Sequence, residues 1–347
     1  MSGLSTAPVA RPAHIGRGRW LAAIATLVVI LIAGVLVGSV VIDPTRVLKA
    51  LLDRLPFISL ASGLTEVQER VLFEIRLPRV VMGGIVGSIL ALAGAGYQGV
   101  FRNPLADPYL LGVAAGAGLG ATFVIGAGGG SALIPPVAFV GGLVAVLATY
   151  ALGRTVGGRT MTSLILAGVA VAAFATAIQT FLLQRNYETL REVYSWILGR
   201  LVTVGWSEVV ILLPYALVAG AVLVLYRRLL DVLALGDDEA AGLGVDVLRV
   251  RRTVVLAATL ATAAAVSVSG LIGFVGIIVP HTVRLLTGWS YRLVIPLSIF
   301  YGASFLILAD LIARTAVAPA ELPIGVITAF LGAPFFVIVL RTVRGST

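Results

Sequence analysis

The side chains able to do chemistry are sparse in this chain and unevenly placed. It has no cysteine, which excludes disulfides and thiolate chemistry. Its two histidines, His14 and His281, stand far apart in sequence and lack the partners of a zinc site, so no metal centre and no cofactor are expected. Lys49 is the only lysine, and it follows Leu48 rather than glycine, so the chain has no Walker A phosphate loop and hydrolyses no ATP through one of its own. Gly94-Ala95-Gly96-Tyr97-Gln98-Gly99 spells G-x-G-x-x-G. A dinucleotide site needs a strand before that spacing and a helix starting at it. Here it closes a long apolar run, where close helix packing is the better use of the glycines.

Two charged groups remain. Arg76, Arg79 and Arg314 flank long apolar runs. Arginines at helix ends snorkel to the membrane surface, and pattern alone favours that reading over a ring of cations receiving a partner's carboxylates through forked hydrogen bonds. Asp310, four residues before Arg314, can pair with it on one helix face. The second group is the segment 227–252, RRLLDVLALGDDEAAGLGVDVLRVRR. Gly236 precedes Asp237, Asp238 and Glu239, acids suited to the positive end of a short helix. Gly242 and Gly244 can end that helix, and Asp246 can cap the next. Two short helices joined by glycine make a shaped docking surface rather than a flexible loop.

The elements that must position these groups are membrane spans. The chain is 59% hydrophobic and 12% charged, against about a quarter charged in a soluble domain. The net charge of +9 is carried almost wholly by arginine, and on such a chain it belongs to loops held by anionic lipid rather than to nucleic-acid binding. Uncharged runs place ten transmembrane helices: 20–42, 78–101, 109–127, 133–153, 162–183, 206–226, two within 253–283 broken near Ser269-Gly270 and Gly273, 293–313 and 323–340. Pro78 suits the first position of the second span. The segment 43–77 is expected to hold a short surface helix, and Trp196 and Trp206 are placed like interfacial aromatics. The fold class is therefore all-α and polytopic. Of the 25 basic residues, 15 fall on the side of the N-terminus and 10 on the other, which puts both termini in the cytoplasm. The organisation is an N-terminal tail (1–19), one transmembrane domain (20–341) carrying 227–252, and a tail (342–347). Gly83 with Gly87, and Gly112 with Gly116 and Gly120, form small-residue stripes for close helix contact. Acids are nearly absent from mid-span, which argues against a proton- or sodium-coupled carrier. No clean internal repeat suggests an inverted-repeat transporter, and no paired acids suggest a membrane enzyme.

The segments RLPR (76–79), GAGYQGVFRNPLADPYLLG (94–112), LAGVAV (166–171), ALGDDEAAGLGV (234–245), GFVGIIVPHTVRLL (273–286), ADLIAR (309–314) and ELPIGVITAFLGAP (321–334) resemble, in order, permease subunits of the iron-chelate and vitamin B12 uptake family of ABC importers. The resemblance implies ten helices per subunit in a bacterial cytoplasmic (inner) membrane, and a homodimer or a dimer with a related permease. It implies two cytoplasmic ATP-binding subunits and an extracytoplasmic substrate-binding protein. It assigns Arg76, Arg79 and Arg314 to docking of that protein, reversing the snorkelling reading. It assigns Asn103, Leu105 and Thr162 to the cytoplasmic gate, although Met161 stands where the family can carry a hydroxyl residue. Leu235, Gly236, Asp237, Asp238, Glu239, Ala240, Leu243 and Gly244 are assigned to coupling with the ATPase. The implied cargo is a metal chelate, a ferric siderophore first, with haem or a cobalamin-type corrinoid as runner-up. The ion-coupled carrier and the channel are the rival classes.

Overall fold

The computed structural model describes residues 16–38, 40–54, 56, 59–155, 161–201 and 205–344. Arg11, His14 and Arg159, which bear on the charge balance and the metal question, lie outside the described residues, as does the tail after Arg344. Among the described residues every regular element is helical. In order they are α1 (Arg17–Leu36), α2 (Pro44–Asp53), α3 (Glu66–Arg70), α4 (Leu77–Phe101), α5 (Val113–Gly126), α6 (Ile134–Thr155), α7 (Met161–Arg185), α8 (Leu190–Ile197), α9 (Ser207–Leu233), α10 (Asp237–Gly242), α11 (Val247–Ser269), α12 (Val275–Thr287), α13 (Tyr291–Thr315) and α14 (Ile324–Arg344).

The surface helix expected in 43–77 is α2. Asp43 caps it, accepting from the Thr45 and Arg46 amides, and the bonds from Thr45 hold its carboxyl below the usual carboxylate range. The end of that segment, from Glu66, is not a loop. The helix of the second span begins at Glu66 and runs 36 residues to Phe101, so Pro78 is interior rather than first. A wide π turn over Val71–Arg76 absorbs it, with the Leu77 amide reaching back to the Leu72 carbonyl. Proline gives the Glu74 carbonyl no helical donor. The Gly205 amide donates to it instead at 2.8 Å, and the Trp206 indole donates to the Phe73 carbonyl at 3.1 Å. Trp206 is thus half-exposed beside the break, whereas Trp196 is a buried core residue and not an interfacial one.

Burial identifies the centre. The helix ending in α4 has 78% of its apolar window buried, against 17% for α1 and for α7. It is surrounded by α9, α11, α12 and α13, and at two of these crossings glycine lets the backbones meet. A Cβ on Gly87 would stand 2.2 Å from the Gly302 carbonyl oxygen of α13, and one on Gly94 would stand 2.0 Å from the Gly276 carbonyl oxygen of α12. The stripe on α5 works likewise: Gly116 faces the Gly141 carbonyl of α6, and Gly120 faces that of Val137. Gly112 does not share that face; it is the left-handed residue (φ 81°) from which α5 starts.

Among the described residues seven helices are long and apolar enough to cross a membrane. Three shorter apolar ones accompany them, among them α5 with 14 residues and α12 with 13. At 1.5 Å per residue α12 spans only about 20 Å. The break before it lies where glycine predicts it, between Gly270 and the left-handed Phe274. Its backbone is not left bare: the Tyr109 hydroxyl, from the irregular stretch before α5, donates to the Ile272 carbonyl at 2.9 Å and accepts from the Ile272 amide at 3.1 Å. Two non-helical stretches thereby satisfy each other inside protein, the condition for such backbone in an apolar bundle.

The glycine contacts give a direct expectation. Gly87→Ala should destabilise the chain by about 1–3 kcal/mol, because the α4–α13 crossing cannot yield without backbone movement. Gly126→Ala, where an added Cβ meets nothing within 4 Å, should stay within about 0.5 kcal/mol of the parent. Thermal unfolding in detergent compares the two; equal midpoints would refute the tight crossing.

Candidate functional site

The first polar cluster lies where the helix leading into α4 meets the end of α1 and of α13. α1 stops at Leu36, leaving its last carbonyls without helical donors. Arg76 and Arg314 supply them. Arg76 Nη1 donates to the Val35 and Leu36 carbonyls at 3.3 Å, its Nη2 donates to the Val40 carbonyl, and Arg314 Nη2 donates to the Gly34 carbonyl at 2.5 Å. Cations at a helix C-terminus are also favoured by the macrodipole. Both residues are buried, Arg76 at 4% and Arg314 at 7% exposure, so neither snorkels.

Arg79 is held by two acids. Its Nε donates to Asp310 at 2.9 and 3.2 Å, while Nη1 and Nη2 form a fork onto Glu321 at 3.0 and 2.9 Å. Asp310 is 1% exposed. Its nearer cation is Arg79, at 2.8 Å, and the i,i+4 partner Arg314 stays at 3.6 Å. The three arginines named from sequence therefore do come together. Their donors point inward, to carbonyls and acids of the same chain. Glu321, which sequence reasoning does not single out, is the one outward-facing member, its side chain 48% exposed.

The second cluster is at the far end of α4. Arg102 ends that helix in the left-handed region (φ 48°) and reaches Asp237 in the first turn of α10. Arg251 of α11 forks onto the same carboxylate at 2.7 and 2.8 Å. One acid thus ties α4, α10 and α11 together. α10 forms as its residues require: Gly236 (φ 141°) and Gly244 (φ 80°) bound it, and Asp246 caps α11 by accepting from the Arg249 amide at 3.0 Å. The segment holds one short helix rather than two, since the helix that Asp246 caps is the start of α11 and runs on to Ser269. Ala240 is buried beneath it, while Asp238 and Glu239 are exposed and Leu235 and Leu243 stand 63% and 65% exposed on either side.

Of the gate residues, Asn103 is exposed and turns the chain by accepting from the Leu105 amide at 2.9 Å; Leu105 is half-buried. Thr162 stands exposed in the first turn of α7. Sequence reasoning misses the pair behind this turn. Gln98, fully buried inside the G-x-G-x-x-G, donates to the Gly276 carbonyl at 2.9 Å and to the Ala106 carbonyl at 3.4 Å. It accepts from Arg284 at 2.5 Å. Arg284, a loop cation by sequence, is buried among Gln98, the Tyr291 hydroxyl and the Trp289 and Tyr291 rings. The available signal is a polar residue at each end of otherwise apolar segments. All of 94–99 is helical and no strand precedes it, which removes the dinucleotide reading. Among the described residues no group of three His, Cys, Asp or Glu could hold a metal ion.

Comparison with known proteins matches residues 26–342 to the FecCD transport family. The chain is 42% identical over 280 residues to the cobalamin import system permease protein of Halobacterium salinarum, covering 80% of this chain and 75% of that one. It is 38% identical over 281 residues to the hemin transport system permease protein of Yersinia pestis, covering 77% and 82%. Among solved structures, an inward-facing metal-chelate type ABC transporter superposes with a TM-score of 0.81 at 27% identity, covering 93% of this chain and 98% of that one.

The two acids on Arg79 should differ sharply when removed. Asp310→Ala leaves the buried Arg314 without its acid and Arg79 with Glu321 alone, and should cost about 3–5 kcal/mol. Glu321→Gln, at a half-exposed partner, should cost under about 1 kcal/mol. Denaturant unfolding of the purified chain measures both; similar losses would contradict the buried role of Asp310.

Proposed function

The chain belongs to the FecCD transport family, and from that membership we propose how this ABC importer permease works. As in its relatives, the permease subunit is not itself the enzyme, and ATP hydrolysis lies in separate subunits. The seven long helices and three shorter apolar ones are read as ten membrane passes within residues 20–341, with both termini in the cytoplasm of a bacterial cell and the tails 1–19 and 342–347 outside the bundle. Two copies, or one copy with a related permease, enclose the path. The weakly buried α7 and α14, with Phe174, Phe181, Phe330 and Ile338 exposed, supply the apolar faces such a dimer needs.

α10 carries the mechanical reading. Its exposed acids and flanking leucines suit a cleft in each of two ATP-binding subunits, and Asp237 transmits force because it is bonded to both α4 and α11. Asn103, Leu105 and Thr162 sit toward that end and form the inner gate. At the opposite mouth a soluble binding protein docks on the arginine cluster. Arg76 and Arg314 hold the mouth's shape through α1, and a carboxylate of the binding protein takes the place of Glu321 on Arg79, a fork-to-fork exchange that keeps the hydrogen-bond count.

The cargo is a metal chelate. The ferric siderophore is the first expectation from sequence. Cobalamin is favoured by the likeness to the halobacterial permease and haem by that to the Yersinia permease.

Vesicles holding this permease with its ATPase and binding protein should accumulate labelled cobalamin, haem or a ferric siderophore only with ATP. Asp238→Arg with Glu239→Arg should reduce ATPase retention and uptake at least about tenfold, as expected of like charges introduced at a docked interface, while leaving the thermal midpoint unchanged. Uptake by the permease alone under a proton or sodium gradient would overturn the importer reading.

A further inference from the structure

A cavity of about 230 Å³ opens between the end of α6 and the start of α11, at the same end of the bundle as α10. Its rim carries three guanidiniums from two helices: Arg154 of α6, and Arg251 and Arg252 of α11. Its walls are mostly apolar, among them Phe101, Leu164 and Leu248, with Tyr150 the one other polar side chain in the lining. The charges are not balanced locally. Arg251 is spent on Asp237, which also serves Arg102. Arg154 and Arg252 are exposed and have no ion-pair partner among the described residues. A soluble anion would satisfy the rim but has no use for apolar walls.

We propose that this groove binds one anionic phospholipid per chain. Arg154 and Arg252 hold its phosphodiester, and the apolar walls hold the first acyl methylenes. A basic pocket between helices at a membrane surface has the chemistry of such a headgroup. Arg251 lies beside the phosphodiester and forks onto Asp237, so lipid occupancy stiffens the joint between α11 and α10. The site concerns lipid and not cargo, so it stands or falls apart from the transport reading; only its placement on the cytoplasmic leaflet rests on the orientation proposed above.

The test uses the full chain in nanodiscs of phosphatidylcholine, with and without a minor fraction of phosphatidylglycerol, read by native mass spectrometry and by thermal midpoint. The parent should retain phosphatidylglycerol over phosphatidylcholine and gain thermal stability from it. Arg154→Ala with Arg252→Ala should weaken that retention roughly thirtyfold. Arg17→Ala with Arg19→Ala, the same charge change on α1, should keep it, and Arg154→Lys with Arg252→Lys should keep most of it. Three outcomes would overturn the proposal: a parent with no preference between the lipids, equal loss in both alanine pairs, or an equal thermal gain from inorganic phosphate alone. The first is read on unmodified protein and does not depend on any variant folding.

Discussion

The constraint on which the molecule rests is that one helix must pass through the middle of a bundle with neighbours on every side. In water such a helix would be driven inside by its apolar side chains. In a membrane that drive between helices is absent, and contact has to come from close approach and matched polar groups. α4 meets the requirement with glycine where carbonyls of α12 and α13 press on it, at Gly94 and Gly87, and with polar bonds near its two ends. Arg79 binds Asp310 of α13 at one end, and Gln98 binds Arg284 of α12 at the other. Both are bonds to elements distant in sequence, so they fix the register of α4 against α12 and α13 and not merely its proximity.

Much of this is legible in the order of residues alone. The uncharged runs locate every long helix, and the glycine-bounded acidic turn announces its own caps, because glycine at φ 141° and aspartate accepting from an amide are local events that sequence encodes locally. What the sequence cannot give is of a different kind. Pro78 looks like a helix start, because nothing near it says that Gly205 will take up the carbonyl it frees. Arg284 looks like a loop cation, because its partners Gln98 and Tyr291 come from other helices. The arginine triad is locatable as a group. Its inward direction depends on where α1 ends relative to α13, which no spacing within RLPR or ADLIAR contains.

That inward direction changes what docking at this mouth would involve. A free guanidinium ring would attract a carboxylate with little loss of existing bonds. Here Arg76 and Arg314 are committed to the carbonyls at the end of α1, and withdrawing either would leave those carbonyls unsatisfied. Glu321 differs, since it is exposed and its loss uncovers only one face of Arg79. An acidic partner therefore meets a mouth whose shape is set by two arginines and whose exchangeable contact is confined to the third. Specificity in the proposed docking would then come from geometry around Arg79 more than from net charge.

The same accounting bears on how the two ends can be coupled. The close glycine crossings leave α4, α12 and α13 little room to move against one another, because backbone lies where a side chain would otherwise stand. Asp237 binds α10 to α4 and α11 together, so a push on α10 is delivered to the centre of the bundle and not to a peripheral helix. A push delivered to a centre that cannot shear must move the subunit as a body. The places left to yield are the lightly buried faces of α7 and α14. In the dimer proposed above, alternating access would thus be a rearrangement between subunits, and the tight crossings around α4 would keep it from dissipating inside one.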